Sequence, residues 1–138
     1  MKAILINSME RTVKSIEYKP KKNDITLLHK LIGCTTFGGT SFVYQQKDGT
    51  IFFDDEGVYK RPLRFFYVPI LYPLPIAGNG IVLGLDYDSG NSVSVSESLE
   101  EELTSDDGNT VTFPNKEEVI SIERKLMREA GTPAVVTS

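Results

Sequence analysis

Tryptophan is absent from the chain, and histidine and cysteine occur once each, as His29 and Cys34. These scarcities narrow the chemistry at the outset. A lone cysteine cannot close a disulfide within the chain and agrees with a reducing compartment. His29 and Cys34, five residues apart, fall short of the four protein ligands, or three plus water, that zinc requires; His29 reads as a structural or surface residue. A hydrolase or transferase needs a base, a nucleophile or a metal with partners, and no motif supplies them. The expectation is therefore a protein that is not an enzyme and carries no cofactor or metal.

Long apolar runs are missing too. Nothing approaches the ~18 residues of a membrane span, and the opening MKAILIN is too short for the apolar region of a signal peptide. Soluble, cytosolic, with no membrane partner is the expectation. Basic residues are missing from one long stretch: 65–115 holds no Lys or Arg and eight acids, Asp86, Asp88, Glu97, Glu100, Glu101, Glu102, Asp106 and Asp107. Residues 1–64 carry 11 Lys/Arg against 7 Asp/Glu, and 116–138 balance at four each. Such asymmetry reads either as an interaction surface or as an ordinary solvated acidic segment. The pI near 5.0 argues against direct DNA binding, whose affinity rests on phosphate contacts.

At 138 residues the chain is one domain by length and can bury a hydrophobic core. Strands are expected at 2–7 and 12–18, joined as a hairpin. A helix is expected at about 24–32, capped by Asn23 or Asp24, with Ile25, Leu27, Leu28, Leu31 and Ile32 on an apolar stripe and Gly33 just past its end. Residues 33–40, GCTTFGGT, read as a connector whose backbone N–H groups could approach a phosphate. A strand at 41–46 turns through Asp48-Gly49 into a strand at 50–54. Further strands are expected at 65–71, shortened by Pro69, at 81–85 and at 110–113. Asp86 to Asn91 is faintly calcium-loop-like but lacks the third acid and the terminal Glu, so it reads as a turn.

Ser96 or Ser98 caps a short acidic helix to Leu103, and 106–109 is a turn. A capping box of Asn115 and Glu118 opens a helix over 116–130 with Val119, Ile122, Leu126 and Ala130 as its buried stripe. Arg124, Lys125 and Arg128 suit its C-terminal dipole, and Gly131 ends it. The sum is an α+β fold: one mainly antiparallel sheet of about five to seven strands with two or three helices.

Several segments together resemble a family of small, uncharacterised domains carried by phages and mobile elements: MKAILIN with ERTVKSIEY, LLHKLIGCTTF, IFFDDEG and PIAGNGIVLG. They cover about residues 1–88, leaving 89–138 as an appended acidic segment, strand and helix. The resemblance implies a protein of an infected host cell's cytoplasm, with no activity established for the family. By analogy with phage proteins of this size, a counter-defence role is expected.

The chemistry concentrates in 50–84, which holds a DDEG turn, the basic hinge Lys60-Arg61-Pro62-Leu63-Arg64, aromatics and a glycine-rich loop. One reading is a protein that sequesters a small anionic ligand, such as a signalling nucleotide. Lys60, Arg61 and Arg64 would pair phosphates, Phe65, Phe66, Tyr67 or Tyr72 would stack a base, and the GCTTFGG or AGNG backbone, with Thr35, Thr36 and Asn79, would close the site. Another is an acidic inhibitor whose 65–115 span mimics nucleic acid before a basic protein. Asp54, Asp55 and Glu56 could hold magnesium, or be solvated turn acids. A homo-oligomer is expected, because FFYVPIL and YPLPIAG look like apolar surface at an exposed edge.

Overall fold

The structure, a computed structural model, describes residues 1–20, 26–105 and 110–136, with 130–136 as backbone only. The expected helix cap at Asn23 or Asp24, Ile25 and the turn at 106–109 lie outside the described residues. The architecture is the expected α+β: a six-stranded, mainly antiparallel sheet, a small two-stranded sheet and three α-helices.

Two hairpins flank the central strand. β1 (Lys2–Asn7) pairs with β2 (Thr12–Glu17), Ile4 opposite Ser15. β3 (Phe37–Tyr44) pairs with β4 (Lys47–Asp54). Between them runs β7 (Gly80–Leu85), bonded to β4 on one side and to β1 and the short β8 (Ser92–Val93) on the other. The order is β2-β1-β7-β4-β3. β5 (Phe65–Phe66) and β6 (Ile76–Ala77) form the second sheet.

Alternation along the strands divides the core. Ile4, Ile6, Ile51 and Val82 point to one face, where Phe66, Val68, Leu71, Val95, Leu99, Leu103 and Val111 cover them. Ala3, Ile81 and Leu83 point to the other, against Leu28 and Ile32 of α1 (Thr26–Ile32). Residues of the 89–138 segment thus complete the core formed by earlier strands. α1 ends as expected: Gly33 has φ of +78°, and both its N–H and that of Cys34 bond the His29 carbonyl, a left-handed close that suits glycine. α2 (Glu97–Thr104) starts at Ser96, whose hydroxyl accepts from the Leu99 N–H.

Several expectations are corrected. The β3–β4 hairpin turns at Gln45-Gln46, both with positive φ, not at Asp48-Gly49. Gly49 lies inside β4 opposite Phe42, and a Cβ there would stand 2.2 Å from the Phe42 ring, so packing claims the glycine that local turn chemistry would use. The GCTTFGGT connector is half strand, since β3 begins at Phe37.

FFYVPIL is not an exposed edge: only Phe65–Phe66 is strand, and Phe66, Val68 and Leu71 are buried, so the apolar surface invoked for oligomerisation lies in the core. Similarly, 110–113 contributes only a bridge between Thr112 and Tyr67.

α3 (Lys116–Val136) runs past Gly131, because a mid-helix glycine costs only about 1 kcal/mol relative to alanine. Its capping box is formed, the Glu118 N–H reaching Asn115 Oδ1 at 2.8 Å and the Asn115 N–H reaching Glu118 Oε1 at 3.1 Å. Its buried stripe is not: Val119 is buried, but Ile122 and Leu126 are only half-buried. Too little of the body packs against this helix to cover them, and Ala130 falls where only backbone is described.

Among the described residues no helix is long and apolar enough to cross a membrane.

The tightest backbone approach tests this packing. A Cβ at Gly84 would lie 2.5 Å from the Ser94 carbonyl oxygen, an atom that cannot rotate away. Gly84→Ala should therefore destabilise the protein by about 1–3 kcal/mol, read as a lower urea midpoint. An unchanged midpoint would mean that the 92–95 segment moves freely from β7.

Candidate functional site

Five chain segments end around one cleft of about 260 Å³: the β1–β2 turn, the end of α1, the end of β4, the basic hinge and the loop before β7. Alternation along β4 places Asp54 on the same face as Phe52, so this carboxylate points inward and is buried. A buried carboxylate needs compensation, and it has two partners. Oδ1 accepts the Glu56 N–H at 3.0 Å, and Oδ2 meets Lys60 Nζ at 2.6 Å. Lys60 also donates to the Gly33 carbonyl at 2.9 Å, tying the basic hinge to the end of α1. The 3₁₀ turn Gly57–Tyr59 between Asp54 and Lys60 brings the chain back on itself. It needs glycine at its start, because a Cβ on Gly57 would stand 2.7 Å from the Ala77 carbonyl oxygen.

Asn79 acts as a strut on the opposite wall. Its Oδ1 accepts from the Ser8 N–H at 2.9 Å and from the Ser8 hydroxyl at 3.3 Å, and its Nδ2 donates to the Ile32 carbonyl at 3.4 Å. One side chain therefore joins the end of β1, the end of α1 and the entry to β7.

The two arginines differ. Arg61 is spent on the backbone, donating to the Val58 and Lys60 carbonyls at 3.2 and 2.9 Å. Arg64 is exposed, its carbonyl accepts from the Gly78 N–H, and its guanidinium has no hydrogen bond or ion pair with any described residue. Three cations and one carboxylate line the cleft, a formal balance of +2. With Asp54 neutralised by Lys60, the unspent charge at the cleft is cationic.

Of the expected site residues, the structure gathers Lys60, Arg61, Arg64 and Asn79 in this cleft. The hinge bends through 60–62, so Arg61 and Arg64 reach one space although an extended chain would separate them. The others lie elsewhere. Thr36 Oγ1 donates to Glu56 Oε1 at 3.1 Å, and Thr35 is exposed outside the cleft. Phe65 pairs with Ala77 in the small sheet, Tyr67 bridges Thr112, and Tyr72 packs on the core. No aromatic ring lines the cleft, because the sheet core claims these rings. Asp54, Asp55 and Glu56 do not converge on one point, and among the described residues no three His, Cys, Asp or Glu side chains form a metal-holding group. The sequence pointed to Asp54 as a magnesium ligand or a solvated turn acid, whereas it is the buried partner of Lys60, a placement its phase with Phe52 signalled; nothing in the sequence pointed to Ser8.

Cys34 adjoins this network. Burial pushes its thiol pKa up, the Asp54 carboxylate adds to that, and Lys60 partly offsets it. Comparison with protein-family models, with curated proteins and with solved structures gives no match.

Two measurements test the wiring. Lys60→Met leaves the Asp54 carboxylate buried without its cation, and should cost about 1–3 kcal/mol, less than a fully buried pair because Lys60 is half-exposed. Arg64→Met should leave the thermal midpoint unchanged; equal losses would mean Arg64 also holds the fold. For Cys34, alkylation by iodoacetamide should be slow at neutral pH and accelerate only above the range of an ordinary cysteine, with Lys60→Met moving the profile further up. The raised folded-state pKa means the associated stability is complete below the unfolded thiol's pKa and is lost as pH rises through the folded one. A profile like that of free cysteine would contradict the burial of the Cys34 thiol.

Proposed function

We propose that this protein binds a small oxyanion, a phosphate monoester or a molecule carrying one, at the Arg64 cleft, and does so without chemistry on it. The observation that carries this reading is the unspent Arg64 guanidinium at a cleft where the one carboxylate among the described residues, Asp54, is already neutralised by Lys60. Lys60 cancels the charge of Asp54, Arg61 is held by backbone carbonyls and supplies fixed positive charge, and Arg64 supplies the fork that grips a planar pair of oxygens. The phosphate part of a nucleotide-like ligand fits this arrangement; a stacked base does not, since Phe65, Tyr67 and Tyr72 lie outside the cleft. The resemblance to phage-carried domains supports sequestration of a signalling molecule in an infected cell, a counter-defence role, as the setting for such binding.

The alternative, an acidic mimic of nucleic acid, has weaker support. Glu100 is engaged by Lys2 and Ser15, Glu102 by Thr110, and Asp86 by its own turn. The acids of 65–115 are thus partly consumed inside the fold instead of forming one continuous anionic face.

Calorimetric titration with inorganic phosphate and a phosphate monoester tests the proposal. Arg64→Ala should weaken binding by about 1.5–3 kcal/mol, the worth of a charged hydrogen bond, or roughly ten- to a hundred-fold in Kd. Arg64→Glu should abolish it while leaving the melting temperature unchanged. Binding that survives Arg64→Glu removes the cleft from the reading, and a basic protein recovered with the native chain but not with a Glu97/Glu101 double substitution would favour the acidic surface instead.

A further inference from the structure

The two edges of the main sheet are unlike. At β2 the edge carries Lys14 and Glu17, and Ser15 is bonded to Glu100 of α2, the charged and covered kind of edge that resists pairing. At the other side β3, FGGTSFVY, has eight residues, no charge and no proline, and no described strand pairs with its outer side. The hairpin phase says which of its backbone groups are free. Tyr44 and Lys47 flank a two-residue turn and so form a hydrogen-bonded pair,. Alternation then gives Phe42, Thr40 and Gly38 to β4, and aims the N–H and C=O groups of Phe37, Gly39, Ser41 and Val43 away from the sheet. None of these outward groups bonds a described residue. On the face these residues share, Gly39 and Ser41 are exposed, and Val43 is 64% exposed.

We infer that β3 is a self-pairing edge, through which two copies of this chain join their sheets antiparallel about a two-fold axis at Thr40. The choice of occupant follows from register. Pairing about Thr40 sets Phe37 opposite Val43 of the second copy and Gly39 opposite Ser41, so each exposed valine gains an aromatic neighbour. Such cross-strand aromatic–β-branched pairs stabilise sheets. Phe37 is already oriented for this, half-buried with edge contacts to the His29 and Phe52 rings at 5.3 and 5.7 Å. The small Gly39 and Ser41 leave the centre open, and no like charges meet. Four outward N–H and four outward C=O groups on each copy would close eight hydrogen bonds across the axis,. An unrelated extended peptide could use the same backbone groups, but only this strand brings its own valine to its own phenylalanine.

Light-scattering mass and covalent trapping test it with the full chain. The native protein at high micromolar concentration should show twice the 15.4 kDa chain mass. Ser41→Pro removes one outward N–H without touching the β3–β4 ladder, since proline is tolerated on an edge with its missing donor outward; it should give the single-chain mass with an unchanged circular dichroism spectrum. Residues 40 of the two copies would face each other in a closely spaced pair, within disulfide reach. Thr40→Cys in a Cys34→Ser background should therefore form a covalent dimer on mild oxidation, and Ser41→Cys in that background should not. A native mass of one chain overturns the inference, and so does a folded Ser41→Pro variant that keeps the double mass. Should Ser41→Pro fail to fold, the Thr40 cross-link decides, and its absence overturns the inference.

Discussion

Everything in this fold depends on β7 being paired along both edges and buried on both faces. Gly80 to Gly84 are all buried, with β4 on one side and β1 and β8 sharing the other. A strand in that position has no solvent-facing backbone, so every N–H and C=O must find a strand partner. Its two terminal-region glycines are where other chain comes closest. The Phe66 ring would stand 2.5 Å from a Cβ at Gly80, and the Ser94 carbonyl as near to one at Gly84. Phe66 is the largest fully buried side chain, so the small sheet and the 92–95 segment are both seated on spaces that these glycines leave.

The cleft is a consequence of the same seating. Gly78 and Asn79 immediately precede β7, so the strut from Asn79 to Ser8 and Ile32 is held in place by the strand it introduces. Asp54 ends the neighbouring strand β4 at the same level. Burying that carboxylate is favourable only with a cation beside it, and Lys60 meets that need while its own tip stays half in water. The pair therefore fixes where the hinge passes, and the hinge decides where Arg64 emerges. Fold and candidate site share one electrostatic contact, and Arg64 is the residue that the fold leaves unspent.

The helix α3 lies outside this logic. Its capping box is local and complete, but the apolar stripe behind it meets little of the body, and Ile120 and Met127 face outward at 39% and 73% exposure. Helical propensity and caps set its start; tertiary packing does little to define its sides.

Much was determined by the sequence alone, namely whatever rests on neighbours within a few residues. The β1–β2 hairpin, the left-handed close of α1 at Gly33, the Ser96 cap, the Asn115–Glu118 box and the α+β class all follow from local periodicity and turn chemistry. The basic hinge and Asn79 were legible as candidates because their charge and loop context are written in the chain, and they line one cleft. Tertiary structure alone decided the rest. Gly49 could have been a turn residue, but Phe42 needed the space over it. Phe66, Val68 and Leu71 could have formed an edge, but the sheet face lacked a cover. Phe65, Tyr67 and Tyr72 could have stacked on a ligand, but they were committed to the small sheet, to Thr112 and to the core. Asp54 gave its face by alternation and not its partner, because a buried charge is compensated by whichever cation the folded chain returns to it, and that return is a property of packing over distance.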